Sequence, residues 1–135
     1  MPAPARNPFS YAILRVVPRV ERGERFNVGV VVFCRQRDFL GIRSELDEAR
    51  LHALAPDVDP DDIRAHLRAL QRVADGDPTA GDAGTIAAMP ASERFGWLVA
   101  PSSTMVQPSE VHTGLTKNPP ATLDALFNEL VPRPG

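Results

Sequence analysis

The stretches "FSYAILRVV" (9–17) and "FNVGVVVFC" (26–34) decide the fold of this chain. Both are apolar on their two alternating faces, a pattern that predicts central strands covered on both sides of a sheet. Pro18 and Gly23 lie between them in a charged segment that is typical of an exposed turn, so we expect the two strands to pair. Farther along, "FLGIR" (39–43) predicts a third strand, added by a hairpin.

Helices are predicted in the middle and at the end of the chain. Ser44, with Asp47 three residues later, resembles a capping box that opens a first helix. Asp59 is expected to cap a second helix, whose apolar residues recur at helical spacing. A short helix is expected to carry Phe95, Trp97 and Leu98 inward. The last predicted helix is the amphipathic segment "LDALFNELV".

Residues 103–114, "STMVQPSEVHTG", are unusually polar for this chain. Pro108 cannot donate to a sheet ladder, so we predict two short extended pieces that flank a bend. The fold class is therefore α+β, with a mostly antiparallel sheet of four to five strands and about four helices packed against it. We expect one domain over 9–131 that contains a mobile loop, together with a flexible leader and a short tail. The leader, loop and tail are expected at 1–8, 75–84 and 132–135.

Composition limits the classes of function. The chain has 135 residues and a net charge of −2. Residues 1–43 carry eight basic and three acidic side chains (+5), whereas residues 44–135 carry seven basic and fourteen acidic ones (−7). No apolar run is long enough to cross a bilayer, and no secretion signal is recognisable, so a cytoplasmic protein without membrane contact is expected. Cys34 is the only cysteine, which excludes an internal disulfide, and we expect its thiol to be buried.

The sequence contains no recognisable metal or cofactor motif. Its three histidines are scattered, and no phosphate-binding or dinucleotide-binding glycine pattern occurs, so we predict neither cofactor nor metal. His112 and Glu110 are candidates for an acid or base, and Ser103 is a candidate nucleophile. The alternative is that His112 is only a structural hydrogen-bonding residue. Nucleic-acid binding through the arginines is conceivable, although the aromatic residues of an RNA-binding sheet are not arranged here.

Two blocks carry a resemblance to a known family. "YAILRVVPRVERGERFNVGVVVFC" (11–34) and "ERFGWLVAPSSTMVQPSEVHTGL" (93–115) resemble the bacterial family called domain of unknown function 3037, over most of residues 11–130. The resemblance implies that the gene for this protein is associated with genes for HipA-like serine/threonine kinases. It therefore implies a regulatory or partner subunit. It also implies a set of patterned polar positions, which are Arg15, Arg22, Glu24, Asn27, Gly29, Glu93, Arg94, Ser103, Gln107, Ser109, His112, Thr113 and Gly114.

We predict that the two blocks meet in the fold, with "VQPSEVHTG" (106–114) pairing beside the 26–34 strand. One patch that binds a phosphate, a nucleotide or a partner loop would then be formed by Arg15, Arg25, Asn27, Gln107 and His112. The predicted binding residues are Arg15, Arg22, Arg25, Asn27, Ser103, Gln107, Ser109, His112 and Thr113. The alternative is that Asn27 and Gln107 satisfy buried backbone groups.

Two functions follow from this sequence. The first is a non-enzymatic interaction or regulatory module that acts with a protein partner, such as a HipA-like serine/threonine kinase. The alternative is a small hydrolase or nucleic-acid-processing enzyme that uses His112 and Glu110 with a nearby arginine. The two readings differ in what they require of His112: an enzyme needs it in a concave pocket beside a second titratable group. The sequence leaves the oligomeric state open.

Overall fold

The computed structural model describes residues 5–77, 79 and 84–132. The strands in this part of the chain are β1 (Asn7–Val16), β2 (Phe26–Cys34), β3 (Phe39–Ser44), β4 (Val106–Pro108) and β5 (His112–Thr116). The helices are α1 (Glu48–Leu54), α2 (Pro60–Asp75), α3 (Gly84–Ala87), α4 (Ala91–Leu98) and α5 (Pro119–Leu130). The predicted α+β class is confirmed, and four of the helices have seven or more residues.

The sheet is antiparallel throughout, and its order is β3-β2-β1, with β4 and β5 both paired to the free edge of β1. β5 pairs with Asn7–Tyr11 and β4 with Leu14–Val16, so the two short strands lie end to end. We call β2 and β3 the inner half of the sheet, and β1, β4 and β5 the outer half. The prediction that 106–114 pairs beside 26–34 is wrong, because β1 and β3 already occupy the two edges of β2.

A bulge in β2 decides which side chains reach each face. Leu14 pairs with Gly29 and Arg15 pairs with Asn27, so Val28 is an extra residue in the ladder. The side-chain alternation of β2 is therefore reversed before the bulge, which turns Asn27 to the face that α5 covers. Gly29 has no room for a side chain here, because an added Cβ would lie 2.9 Å from the carbonyl oxygen of Arg43.

Two apolar cores lie on the two faces of the sheet. On one face, α1, α2 and α4 pack residues such as Leu51, Ile63 and Phe95 against Leu14 and Val16. On the other face, α5 lies over β2 and β3. The buried residues of this second core are Phe9, Val30, Val32, Cys34, Leu123, Phe127 and Val131.

Two details of the predicted helices need correction. Ser44 is the last residue of β3, where it pairs with Gly29, and Asp47 instead caps α1 by accepting a hydrogen bond from the Arg50 backbone N–H. Trp97 was expected to point inward, but 43% of it is exposed. Phe95 and Leu98 are three residues apart and share the buried face of α4, whereas Trp97 falls on another side of the helix. Asp59 caps α2, as predicted.

The remaining predicted boundaries meet the structure at a few points. β1 begins at Asn7, inside the expected leader. Asp75 ends α2 and Gly84 begins α3, so both ends of the expected mobile loop are helical. Residues 1–4, 78, 80–83 and 133–135 of the expected leader, loop and tail lie outside the described residues. Cys34 is buried, as expected. Among the described helices, none is long and apolar enough to cross a membrane.

Candidate functional site

The second face of the sheet is covered unevenly. α5 lies over the inner half, and no other helix described packs on that face of the outer half. Most side chains of β1, β4 and β5 that point to this face are therefore only partly buried, whereas Phe9 and Thr116 are buried. We call this surface the open face; its residues are Tyr11, Ile13, Arg15, Gln107 and His112. The strand register places Tyr11 directly beside His112, and Arg15 directly beside Gln107.

Arg15 is the centre of the open face. It lies between Asn27 of β2 and Gln107 of β4, its direct partners in the two ladders. Its Nε atom is buried and has no hydrogen-bond partner. Burial lowers the pKa of Arg15, and the nearby Arg25 cation lowers it further, while the Glu110 carboxylate partly opposes both effects. The site thus holds two neighbouring positive charges against one exposed carboxylate.

Other arginines show what ordinary pairing looks like in this protein. Arg19 forms an ion pair with Asp57 at 2.9 Å, and Arg43 forms one with Asp124 at 3.0 Å. Neither Arg15 nor Arg25 makes a hydrogen bond or an ion pair to any residue that the structure describes. Two arginines held close together without an acceptor form a site of positive potential, which suits an anion.

Asn27 and Gln107 both donate to backbone carbonyl groups, although the bond of Gln107 is exposed and only that of Asn27 is partly buried. The Asn27 side chain donates to the carbonyl oxygen of Leu130, at the end of α5, at 2.8 Å. The Gln107 amide donates to the carbonyl oxygen of Thr104 at 2.9 Å. These bonds fix the two side chains that flank Arg15, so their first role is to hold the local structure.

Ser109 fills the gap between β4 and β5. Its Oγ accepts a hydrogen bond from the Ile13 backbone N–H at 2.8 Å and donates to the carbonyl oxygen of Glu110 at 2.9 Å. The Ser109 N–H also donates to the Ile13 carbonyl oxygen at 2.8 Å. The buried hydroxyl thus replaces a strand partner where the edge of β1 is interrupted, and it is already saturated.

His112 and Glu110 come together on the open face. His112 Nε2 lies 3.8 Å from Glu110 Oε1, and the imidazole ring lies 5.3 Å from the ring of Tyr11, measured between centroids. Both side chains are open to solvent, with 42% of His112 and 81% of Glu110 exposed. A pair in this position can exchange a proton with a ligand on the open face, but it does not lie in an enclosed pocket.

Ser103 is not brought to His112. Near Ser103, the carbonyl oxygen of Met105 accepts a hydrogen bond from the Val17 N–H. His112 instead pairs with Tyr11, which lies six residues before Val17 in the chain. At about 3.3 Å per residue, this register separates the two regions by roughly 20 Å. His112 therefore cannot act as the base for a Ser103 nucleophile in this arrangement.

Two other predicted binding residues also lie away from the open face. Arg22 pairs with Glu24 in the β1–β2 connection and lines a recess beside Leu54 of α1. Thr113 pairs with Ser10, so its side chain points to the sheet face opposite that of His112. Strand pairing places Arg15, Asn27, Gln107 and His112 on one face, and Arg25 lies close enough to Arg15 to lower its pKa.

The prediction missed Tyr11 and Ile13 as parts of this surface. The signal was available in the alternation of β1, because Tyr11, Ile13 and Arg15 are two residues apart and must share a face. Among the described residues, no group of three His, Cys, Asp or Glu side chains is placed to hold a metal ion.

Comparison with known proteins supports the sequence resemblance. Curated protein sequences and solved structures gave no significant match. A family model described as "Protein of unknown function (DUF3037)" matches residues 11–131, which include every described strand residue from Tyr11 onward and all five helices. The chain therefore belongs to the DUF3037 family.

Proposed function

We propose that this protein is a non-enzymatic interaction module that binds an acidic or phosphorylated segment of a protein partner on its open face. The observation that carries this proposal is the placement of Arg15 and Arg25 side by side without an acceptor among the described residues. The partner's anionic group would supply the missing acceptor. Asn27 and Gln107 hold the strands on both sides of this position.

The energetics favour an anion at this position. A buried N–H without a partner costs about 1–3 kcal/mol, and two adjacent cations repel one another. A carboxylate or phosphate relieves this repulsion, because its oxygens can accept from the exposed N–H groups of a planar guanidinium in a bidentate geometry.

The aromatic residues of the open face favour a protein segment over a nucleic acid. Single-stranded nucleic acids bind by stacking bases on free aromatic faces. The Tyr11 ring already has neighbours, since it stacks 5.9 Å from Phe9 and lies 5.3 Å from His112. Glu110, fully solvated at the border of the face, would also repel a continuous phosphate backbone, whereas it tolerates one localised anion.

A HipA-like serine/threonine kinase in the cytoplasm is the partner that we propose. Its support is the sequence resemblance described above. A serine/threonine kinase also provides side chains that can carry phosphate, and a phosphorylated serine or threonine presents about two negative charges to the two arginines. The interaction would be regulatory if binding depends on that modification.

The alternative, a small hydrolase or nucleic-acid-processing enzyme, has one specific observation in its favour. His112 and Glu110 lie 3.8 Å apart on the same face as Arg15, which could hold a phosphate while the imidazole transfers a proton. Turnover of a chromogenic phosphodiester, lost in His112→Ala, would support this enzyme and count against the interaction module.

Direct binding to a purified HipA-like kinase, in phosphorylated and phosphatase-treated forms, tests the proposal. Loss of a hydrogen-bonded charge pair costs about 1.5–3 kcal/mol. Arg15→Met and Arg25→Met should therefore each weaken binding by at least about tenfold. Arg68→Met is the matched control, because Arg68 is an exposed arginine on α2 and lies on the other side of the sheet.

Three outcomes have different meanings in this experiment. Weaker binding by Arg15→Met and Arg25→Met but not by Arg68→Met supports the open face and the adjacent Arg25 as the docking surface. Equal binding by all four proteins shows that the kinase docks elsewhere. If the wild-type protein binds neither form of the kinase, the partner assignment is wrong, and a phosphoserine peptide then tests the anion site by itself.

A further inference from the structure

A cavity lies on the opposite side of the sheet from the open face, where α2, α4 and the segment before β4 meet. Its volume is about 280 Å³. Buried apolar side chains form part of its lining, and these are Leu14, Leu70, Leu98 and Val106. Leu14 and Arg15 are neighbours in β1, so they point to opposite faces of the sheet. We call this recess the α2–α4 cavity.

His66 of α2 is the titratable group of the α2–α4 cavity. It is half-buried, and its imidazole makes no hydrogen bond to any described residue. Burial lowers its pKa, so the neutral ring is the main form at neutral pH. A neutral imidazole presents one N–H donor and one nitrogen acceptor, and both are unused here.

The polar part of the lining is uncharged. None of the residues that line the α2–α4 cavity is Asp, Glu, Lys or Arg. Ser102 and Thr104 contribute hydroxyl groups whose oxygens lie 2.7 Å apart, and the Thr104 hydroxyl also donates to the Val106 carbonyl oxygen at 2.9 Å. Because a charged ligand would lose its hydration without gaining an opposite charge, this lining selects an uncharged molecule.

Trp97 gives the cavity a flat aromatic wall. It lines the recess, yet 43% of it is exposed, an unusual cost for so large an apolar side chain. Indole rings favour stacked or edge-on contacts with other aromatic rings. The volume also suggests a ring system, because an engineered cavity of about 150 Å³ holds benzene, and this one is about twice as large.

We propose that the α2–α4 cavity binds a small, uncharged, planar heteroaromatic molecule of bicyclic size, with its ring against Trp97 and a ring nitrogen or exocyclic group bonded to His66. The apolar lining supplies most of the affinity, and His66 with the two hydroxyls sets the orientation. This site does not depend on the open face, since the two lie on opposite sides of the sheet.

Trp97 makes the proposal directly measurable, because it is the only tryptophan of the chain. Its fluorescence, excited at a wavelength that adenine does not absorb, should change in a saturable way when adenine is added as the probe. Benzoate is the charged planar control, and cyclohexanol is the uncharged non-planar one. We expect both to bind more weakly than adenine.

Two variants locate the binding. Ala100→Phe should abolish the adenine response, because Ala100 lies at the exposed edge of the α2–α4 cavity and a ring there fills it. His66→Ala should weaken binding about two- to tenfold, the effect of one neutral hydrogen bond. His52→Ala is the matched control, since His52 is exposed on α1 and does not line the cavity.

Several results would overturn the proposal. A wild-type protein whose fluorescence does not change up to the solubility limit of adenine has no such site. A saturable response that survives both Ala100→Phe and His66→Ala places adenine elsewhere. Equal binding of benzoate or cyclohexanol contradicts the ligand class. Circular dichroism confirms that each variant is folded, and the two variants test the site independently.

Discussion

Arg43 and Arg15 occupy comparable places in the two halves of the sheet, yet only one of them is used by the fold. Both lie on strands, and both point to the face that carries α5. In the inner half, Arg43 pairs with Asp124 of α5 at 3.0 Å, and its guanidinium lies 4.4 Å from the centroid of the Phe127 ring. In the outer half, Arg15 has no acceptor within the part of the chain that the structure describes, and the charge of Arg25 lies close enough to lower its pKa.

The difference arises from the position of α5. Its axis follows β2 and β3, so its side chains reach Val30 and Val32 but leave Ile13 partly exposed. Where the helix covers the sheet, polar side chains are paired within the fold. Where the cover ends, Arg15 has no hydrogen-bond acceptor among the described residues. Substitution of a paired side chain in the inner half should therefore lower the free energy of unfolding. Substitution of Arg15 in the outer half should instead weaken the binding of the proposed partner.

The largest difference in the free energy of unfolding is expected between substitutions of two aromatic residues, Phe127 and Tyr11. Phe127 is 1% exposed, so Phe127→Ala should lower the free energy of unfolding by about 3–5 kcal/mol. Tyr11 is only half-buried, so Tyr11→Ala should cost clearly less. Urea denaturation of both variants measures this difference. Equal losses would mean that the outer half is packed as tightly as the inner half, and the comparison would fail.

Ser109 lies in the outer half, but unlike Arg15 it should contribute to the stability of the fold. Ser109→Ala leaves the buried Ile13 N–H without an acceptor, which should cost about 1–3 kcal/mol. Ser103→Ala is the matched control, since Ser103 is exposed, and it should leave stability unchanged. If Ser109→Ala is as stable as the control, water replaces the hydroxyl and the edge of β1 is open there.

Local patterns in the sequence predicted the strands and helices well. The β-branched run of β2 could hardly be anything other than a covered strand, and Asp59 with Pro60 marked the start of α2. Gly29 within a strand indicated either close helix packing or a bulge, and the bulge beside it, at Val28, is decided by how Gly29 fits against β3. The edge that β4 and β5 would occupy depends on long-range packing in the same way.

The candidate site was predicted only in part, because it too depends on long-range packing. The predicted patch contained Arg15 and Asn27, and the structure has them as direct partners, although the strand pairing assumed for the patch was wrong. Ser109 looked like a ligand residue, but it is a substitute strand partner, which only the gap between β4 and β5 reveals. His66 went unnoticed, since its significance comes from α4 and β4 and not from its own helix. The exposure of Trp97 was predictable from its spacing to Phe95.

Replacing each of the two arginines by Met separates stability from binding most directly. Arg43→Met removes an ion pair and a cation–π contact and should cost about 1 kcal/mol. Arg15→Met removes a charge that the fold does not pair, so stability should change by less than about 0.5 kcal/mol or rise slightly. Urea denaturation tests both. A larger loss for Arg15→Met than for Arg43→Met would show that the fold does use Arg15.

The smallest expected effect concerns His66, on the covered face of the outer half. Burial lowers the pKa of this imidazole below its ordinary value of 6.5, so the unfolded chain takes up the proton first as the pH falls. The contribution of His66 to stability is therefore complete above pH 6.5 and is lost as the pH falls below that value. His66→Gln cannot take up this proton, so denaturation at pH 7.5 and pH 5.5 should show a larger loss in the wild-type protein than in the variant. Parallel losses in the two proteins would mean that water already solvates the imidazole in the native state. The covered face would then admit water at the α2–α4 cavity. The two faces of the outer half would differ less in solvent exposure than the burial of Leu14 and Val16 implies.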